Sequence, residues 1–482
     1  MDVATRPAHV QKLLFKAATV WAFALLCFLW APSFARAQDA PALPDAGATD
    51  LSGNAGADLG FGKLGDDTFL SILLAANFAI DELSFGLQVP LRLRMIDEEP
   101  TDGDGVEIRD EDWDEASDYL RIIRFIQWAK PGEVFYARVG ELSGATVGHG
   151  TLMSNYLNVL DIDHYQLGVD TKVNTLYGGG ELVLDNLAQP EIFGGRAFVR
   201  PWSFVDAESF LLGWSVGLSL LTDLGAPRTI DSDPATNVPL VDKTHNLQYT
   251  TEAVVMLGFD TDFTVLENEI VRVTPYIDNN VLAGLEAGYG LHVGVLTDVT
   301  LPADTTLNLR LEYQYLGESY APQYVDPLYE IQRVAFPNPR FYGPDTLPLT
   351  KQAVVREAVG AHGYLGQMTV SPMGLVKVSA LYRGSQRKND NDLLLQLLVP
   401  TLAQVKVGVL YSKTGFDSFS DAFDPQGALF QAYARYNVYL FIDLIAQFNR
   451  RWRLVTEVED PNFGNYEGVD EWSFGVGASF DF

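Results

Sequence analysis

The sequence predicts an all-β fold: a transmembrane, antiparallel, up-and-down β-barrel with an even strand number of 16–20, centred on 18. Three observations carry that expectation. From Thr68 onward, segments of roughly ten residues alternate apolar and polar side chains, the period of a strand with two unlike faces. No run of about 18 apolar residues follows position 37, so helical membrane spans are absent there and only a closed barrel could cross hydrocarbon with its backbone satisfied. The long polar connectors all follow an even number of strands, which puts them on one side of the sheet.

The N-terminus reads as a signal peptide over residues 1–37. Arg6, Lys12 and Lys16 precede an apolar stretch from Ala17 to Ala31, and Ala35-Arg36-Ala37 supplies a small-x-small cleavage site. That stretch is about 15 residues, short of the roughly 20 a spanning helix requires. Cys27, the one cysteine, lies within it, so the processed chain has no thiol, disulfide or thiolate metal site. Bulky Leu25 and Leu26 argue against lipoprotein processing at Cys27. The leader removes four bases but only Asp2, leaving a chain more acidic than the −30 of the whole sequence. Such a surface repels nucleic acid.

Residues 38–66 are rich in Ala, Gly, Pro and Asp, the pattern of a flexible tail, with a first short strand over 58–64. The barrel proper is expected over 67–482. Its clearest dyads set Leu307, Leu309, Leu311, Tyr313 and Tyr315 against Asn308, Arg310, Glu312 and Gln314, and Leu83 through Met95 against Ser84, Gln88, Arg92 and Arg94. The pattern recurs over 210–220, 271–277 and 405–411. A soluble sandwich would alternate too. The end of the chain separates the two: Trp472, Phe474, Val476, Ala478, Phe480 and Phe482 alternate with small or polar residues and finish on an aromatic. Here the sequence resembles Gram-negative outer-membrane β-barrel proteins of the porin-like kind. The resemblance implies cleavage of the leader and an outer-membrane location among lipid and lipopolysaccharide. It also implies Phe480 and Phe482 as an insertion signal read by the barrel assembly machinery.

Tight turns are expected near 81–82, 130–133, 172–175, 201–207, 301–304, 371–374 and 400–402. The long connectors are 97–118, 143–162, 223–249, 318–351, 414–426 and 456–470. Counting from Thr68 gives an odd number of strands. Adding 58–64 gives about 20, and merging doubtful pairs near Asn437 or Asp392 gives 18 or 16. Barrels of this size leave an aqueous channel, where about eight strands fill their own interior.

Alternation places Arg92, Arg94, Arg138, Arg196, Arg200, Arg272, Arg310, Glu312 and Lys406 toward the lumen, since a charge facing lipid costs about 2–4 kcal/mol near midplane. These residues either favour anionic solutes or brace the wall by pairing with carboxylates. Segment 143–162 is glycine-rich and poorer in acid than the other connectors. In that respect it resembles the inward-folded constriction loop of general porins, with His149, Asn155 and Asn158 meeting Arg138 across the lumen. An ordinary external loop is the other reading. Residues 97–118 hold 12 carboxylates and Arg109 as their one base, a solvated run that would bind divalent cations diffusely and bridge to anionic lipid. Its Asp102-Gly103-Asp104 fails the EF-hand spacing.

His149-Gly150-Thr151 with Ser154-Asn155 loosely resembles the His-x-Ser-Asn-Gly stretch of outer-membrane phospholipases, but the serine is displaced from the position that chemistry needs. No cofactor motif or metal-ligand spacing appears, and no enzymatic activity is expected. The expected function is an outer-membrane porin or channel for small hydrophilic solutes, as a single barrel or a homo-oligomer. A structural or assembly barrel of an envelope complex is the alternative. For it, Tyr320, Tyr324, Tyr329, Phe336, Phe341 and Tyr342 in 318–351 would form a partner surface, although they could equally fold inward as a plug.

Overall fold

The computed structural model describes residues 52–64, 67–96, 107–109, 112–113, 118–159, 166–206, 209–234, 239–240, 247–334, 349–402, 404–425, 427–455 and 466–481. The expected leader over 1–37 and Phe482 of the expected insertion signal lie outside them.

Twenty long strands form the wall. The first five are β1 (Ser52–Leu64), β2 (Asp67–Ile80), β3 (Leu83–Ile96), β4 (Ile123–Trp128) and β5 (Phe135–Gly140). Then come β6 (Gly168–Thr175), β7 (Gly178–Leu184), β8 (Ile192–Val199), β9 (Trp214–Asp223) and β10 (Val254–Phe263). The third quarter is β11 (Val271–Ala283), β12 (Gly288–Leu301), β13 (Thr305–Leu316), β14 (Ala361–Ser371) and β15 (Lys377–Ser385). The last is β16 (Asn391–Leu402), β17 (Val405–Phe416), β18 (Leu429–Tyr439), β19 (Ile442–Leu454) and β20 (Tyr466–Asp481). Each pairs antiparallel with its neighbours, and β1 pairs with β20 from Asn54↔Asp481 to Lys63↔Trp472, so the sheet has no free edge. Glu107–Ile108 on β3 and Leu266–Glu267 on β11 lengthen the wall without adding a strand.

The number is therefore 20 rather than 18, and the extra pair has identifiable sources. The expected short strand over 58–64 is 13 residues long and begins at Ser52, so much of the segment assigned to the tail is the strand that closes the barrel. The pairs near Asn437 and Asp392 are separate hairpins, turning at 440–441 and 386–390. Two expected turns, 172–175 and 400–402, are strand ends, with the chain reversing at 176–177 and after Leu402. Val173 and Thr175 are β-branched and suit a strand end, and Pro400 falls in the register shift between Val399 and Leu402.

Register fixes the two faces. Ala434, Ala446, Phe474 and Phe61 stand side by side on β18, β19, β20 and β1, and Phe61 and Phe474 are exposed. One residue along, Arg435, Ile445, Gly475 and Gly60 share the opposite face. The exposed set continues around the wall through Leu74, Leu182, Leu218, Leu257, Ile277 and Leu311, far more apolar surface than water tolerates on a folded chain. The long connectors 97–122, 141–167, 224–253, 317–360, 417–428 and 455–465 emerge at one end. At the other end the connections are short, except 200–213, where the 3-10 turns Pro201–Phe204 and Phe210–Gly213 leave Phe204 and Phe210 exposed.

Candidate functional site in the lumen

Two of the long connectors do not stand in solvent. Leu142, Ala145, Val147, Leu152, Met153 and Tyr156 of 141–167 are buried together with Tyr320, Tyr324, Val325 and Tyr329 of 317–360. Both groups pack on lumen-facing Val183, Ile192, Leu221, Met256, Leu282 and Leu316 of the wall. The connectors also join each other. Met153 and Val325 form a parallel bridge, Gln323 N donates to Thr151 O at 2.8 Å and Val325 N to Leu152 O at 3.1 Å. Tyr156 donates to Glu330 at 2.5 Å. Together they make one plug. The local chemistry suits the role: Gly148 (φ 57°) and Gly150 (φ 76°) take left-handed conformations that a side chain would strain. At the far side Thr350 caps the helix Lys351–Arg356, accepting from Ala353 N at 3.1 Å.

A continuous polar network fastens this plug to β10–β13. His149 lies flat on Tyr276, ring centroids 4.3 Å apart, with Nδ1 2.8 Å from Asp278 Oδ1 and Nε2 3.4 Å from Asp262. Thr151 donates to Asp278 at 2.7 Å and accepts from Asn280 at 2.9 Å. Asn280 also reaches the Tyr320 hydroxyl, 3.3 Å away, and that hydroxyl is 2.7 Å from His292 Nε2. His292 Nδ1 then meets Glu312 at 2.8 Å. Glu312 also receives Tyr276 (2.5 Å), Arg310 (2.6 Å) and Gln314 (2.6 Å). Arg310 Nη1 and Nη2 approach Gly150 O at 3.5 Å, closing the circuit back to the plug. Low dielectric strengthens such chains and makes each member costly to remove.

Both ring nitrogens of His149 face carboxylates, which only accept, so the ring is an imidazolium donating from each side. Burial opposes that charge, but Asp278 and the bonds to Asp262 and Asp278 outweigh it and push the pKa up to about 9. A folded-state pKa above the unfolded value stabilises fully below about 6.5 and is lost as pH rises through about 9. The protection factors of 143–159, exchange rates divided into the intrinsic base-catalysed rate at each pH, should therefore be high at neutral pH and fall through about pH 9, and His149→Gln should abolish that step. Identical profiles in the two proteins would show that His149 does not latch the loop. His149, Asp260 and Asp278 also bring ligand atoms within 4.8 Å of one another, a spacing a divalent ion could use. Arg196 is clamped on Asp260 and reaches Asp262 at 3.4 Å, so this corner carries its own cations.

The residues expected in the lumen are distributed unevenly. Arg138, Arg196, Arg310 and Glu312 face inward but are buried beneath or beside the plug. Arg92 bonds Asp112 at 2.5 Å and Arg94 pairs with Asp67 at 3.1 Å. Lys406 is exposed on the inner face of β17. Arg200 lies one residue beyond β8 at the turn end, donating to Asn174 at 3.0 Å, and Arg272 is half-exposed near the same rim. The expected meeting of His149, Asn155 and Asn158 with Arg138 does not occur. Arg138 donates to Gln127 and Glu141 O. Asn158 ties Leu142 N to the Gln166 and Asp185 carbonyls, and Asn155 stays within its own loop. Ser154 Oγ accepts from Asn155 at 3.1 Å while His149 is engaged by aspartates, so these two residues do not form a nucleophile and base pair.

In the acidic connector, Asp112 is fully buried and receives Arg92, Arg109 and Arg121, while Asp118 pairs with Arg121 at 3.0 Å. Arginines neutralise that part of the run; most of 97–117 lies outside the described residues. Asp260, Asp262, Tyr276, Asp278, Asn280 and His292 went unnoticed in the sequence. Their signal was ionisable or amide residues at the polar positions of three successive dyads.

No family model and no curated protein matches the chain. Among solved structures it is similar to the siderophore receptor PirA of Acinetobacter baumannii (8% identity, 90% of this chain and 81% of that one, TM-score 0.36). It is likewise similar to the outer membrane protein OpdK of Pseudomonas aeruginosa (8%, 90% and 99%, 0.30). A third is Wzi of Escherichia coli, described as a carbohydrate-binding β-barrel involved in capsule assembly (10%, 90% and 85%, 0.30). Scores this low leave the lumen, the loops and any cargo to be read from this chain's own residues.

Proposed function

We propose that this chain is an outer-membrane channel that passes small hydrophilic solutes by diffusion, with its lumen narrowed by a plug of two connectors. One observation carries the reading: a closed wall of 20 strands is apolar outside and polar inside, and among the described residues the plug covers only part of its inner face. On the covered side Asp278, His292, Glu312 and Gln314 are almost entirely buried. On the other side Lys406 and Gln447 are exposed to water. An enclosed, hydrated, charged surface has a natural use in conduction and needs no catalytic group. The outer-membrane assignment rests on the apolar belt together with the signal-like leader and the terminal aromatic strand.

The assembly-barrel alternative loses its main support. Tyr320, Tyr324 and Tyr329 are buried inside the lumen, so they offer no partner surface; Phe336, Phe341 and Tyr342 lie outside the described residues. The purified barrel, reconstituted in planar bilayers, should give discrete conductance steps. A folded barrel that inserts and stays silent would return the scaffold reading to first place.

A further inference from the structure

We infer that the permeation path of this channel is off-axis, running along the seam where β20 meets β1, with Arg435, Asp58, Asp443 and Lys406 as its charged station. The inference rests on the channel reading and adds where the solute travels and which side chains it meets. It begins with the plug's position. The wall residues in the buried cluster come from β7, β8, β9, β10, β11 and β13, a stretch centred on β10. In a ring of 20, β20 stands ten strands away, diametrically opposite. Among the described residues the plug therefore crowds the β10 half of the lumen, with bonds on to Arg383 of β15 and Thr414 of β17, and leaves the seam opposite.

The inner face at the seam is built without bulk. One register row crosses six strands there: Lys406, Arg435, Ile445, Gly475, Gly60 and Ser71. Its two seam positions are glycine. The row beside it pairs Gly477 with Asp58 and the other neighbour pairs Ser473 with Gly62, so small residues continue along the seam. A β-carbon at Gly60 would meet nothing nearer than Phe474 O at 3.8 Å. That glycine is not required by packing against a neighbouring strand, and a side chain placed there would point into the lumen.

Charge is held at the same level. Arg435 Nε donates to Asp443 at 2.6 Å, and its two Nη atoms reach Asp58 at 3.1 and 3.2 Å, bridging from β18 to β1 over the small residues of β20. These side chains are 16%, 7% and 26% exposed for Arg435, Asp443 and Asp58, whereas Glu312 on the plugged side is 0% exposed. Lys406, in register with Arg435, is exposed. A solute moving along the seam meets one guanidinium offset by two carboxylates, then an ammonium in water. That arrangement suits small polar solutes and makes ion preference sensitive to single charges here.

The test uses single-channel recording on the full barrel. Gly60→Trp should cut conductance by about half or more, and Lys406→Glu should move the reversal potential in a salt gradient toward cation preference. Unchanged conductance and selectivity in both folded variants, while the wild type conducts, would place the path elsewhere and leave the channel reading standing. A silent wild type would remove both. Should Gly60→Trp fail to fold, thiol labelling decides, because Cys27 is the chain's one cysteine and lies in the leader. Gly60→Cys and Ser71→Cys should react with a charged, membrane-impermeant thiol reagent and lose current. Leu282→Cys, beneath the plug, should be protected. Equal labelling at all three would overturn the inference.

Discussion

Glu312→Ala is expected to lower the unfolding free energy of the barrel by about 3–5 kcal/mol, the range for removing one partner of a buried ion pair. The size follows from what is left behind. Arg310 remains buried with its charge uncompensated, and Tyr276, His292 and Gln314 each lose an acceptor inside a site closed to water. Denaturant titration of the barrel in lipid vesicles, read by tryptophan fluorescence and by heat-dependent gel mobility, measures the loss. The double variant Arg310→Met/Glu312→Leu separates charge from packing: with both ions gone it should recover much of the stability. A Glu312→Ala barrel as stable as wild type would mean that water reaches this carboxylate site and that the network does not fasten the plug.

The barrel itself was largely legible in the sequence because its physics is periodic. A wall residue faces lipid or lumen, the choice alternates, and Leu307 to Tyr315 show it in five steps. Strand number was less legible. Ser52–Leu64 is Gly- and Ala-rich, and its side chains add little to a hydropathy pattern, yet it pairs along most of its length with β20. The same glycines that hid the strand are those that keep the lumen wide at the seam. The plug was visible only as a composition: 143–162 has too little acid for a solvated loop. Its contacts could not be read, because they depend on which strands stand opposite which, and that emerges only when the ring closes. His149 is 129 residues from Asp278 and Arg310 is 160 from Gly150. Local periodicity carries no information about pairs so distant. Arg138 was expected to meet His149 across the lumen, but it is occupied by Gln127 and by the Glu141 carbonyl at the start of the 141–167 connector.

Deleting 145–160 should raise single-channel conductance by about twofold or more while leaving the barrel able to fold and insert. The wall does not depend on that segment: β5 and β6 pair directly through Phe135↔Val173 to Gly140↔Gly168, and their hydrogen bonds survive a shorter connection. What the deletion removes is half of the plug. Thr151 and Leu152 would no longer hold Gln323 and Val325, and His149 would no longer bind Asp278, so 317–360 would lose its partner along the parallel bridge. Tyr320 would keep its bonds to Asn280 and His292, so that connector should stay partly docked and hold the increase below that of an empty ring. Water entering beneath it would reach Asp278 and Asn280, now 3% and 2% exposed, adding conducting area on the side of the wall away from the seam. The deletion and Lys406→Glu act on opposite halves of the lumen, so in the combined variant their effects should add, with the larger conductance diluting the shift in ion preference. Conductance unchanged by the deletion would show that 143–162 does not limit flow and would confine transport to the seam alone.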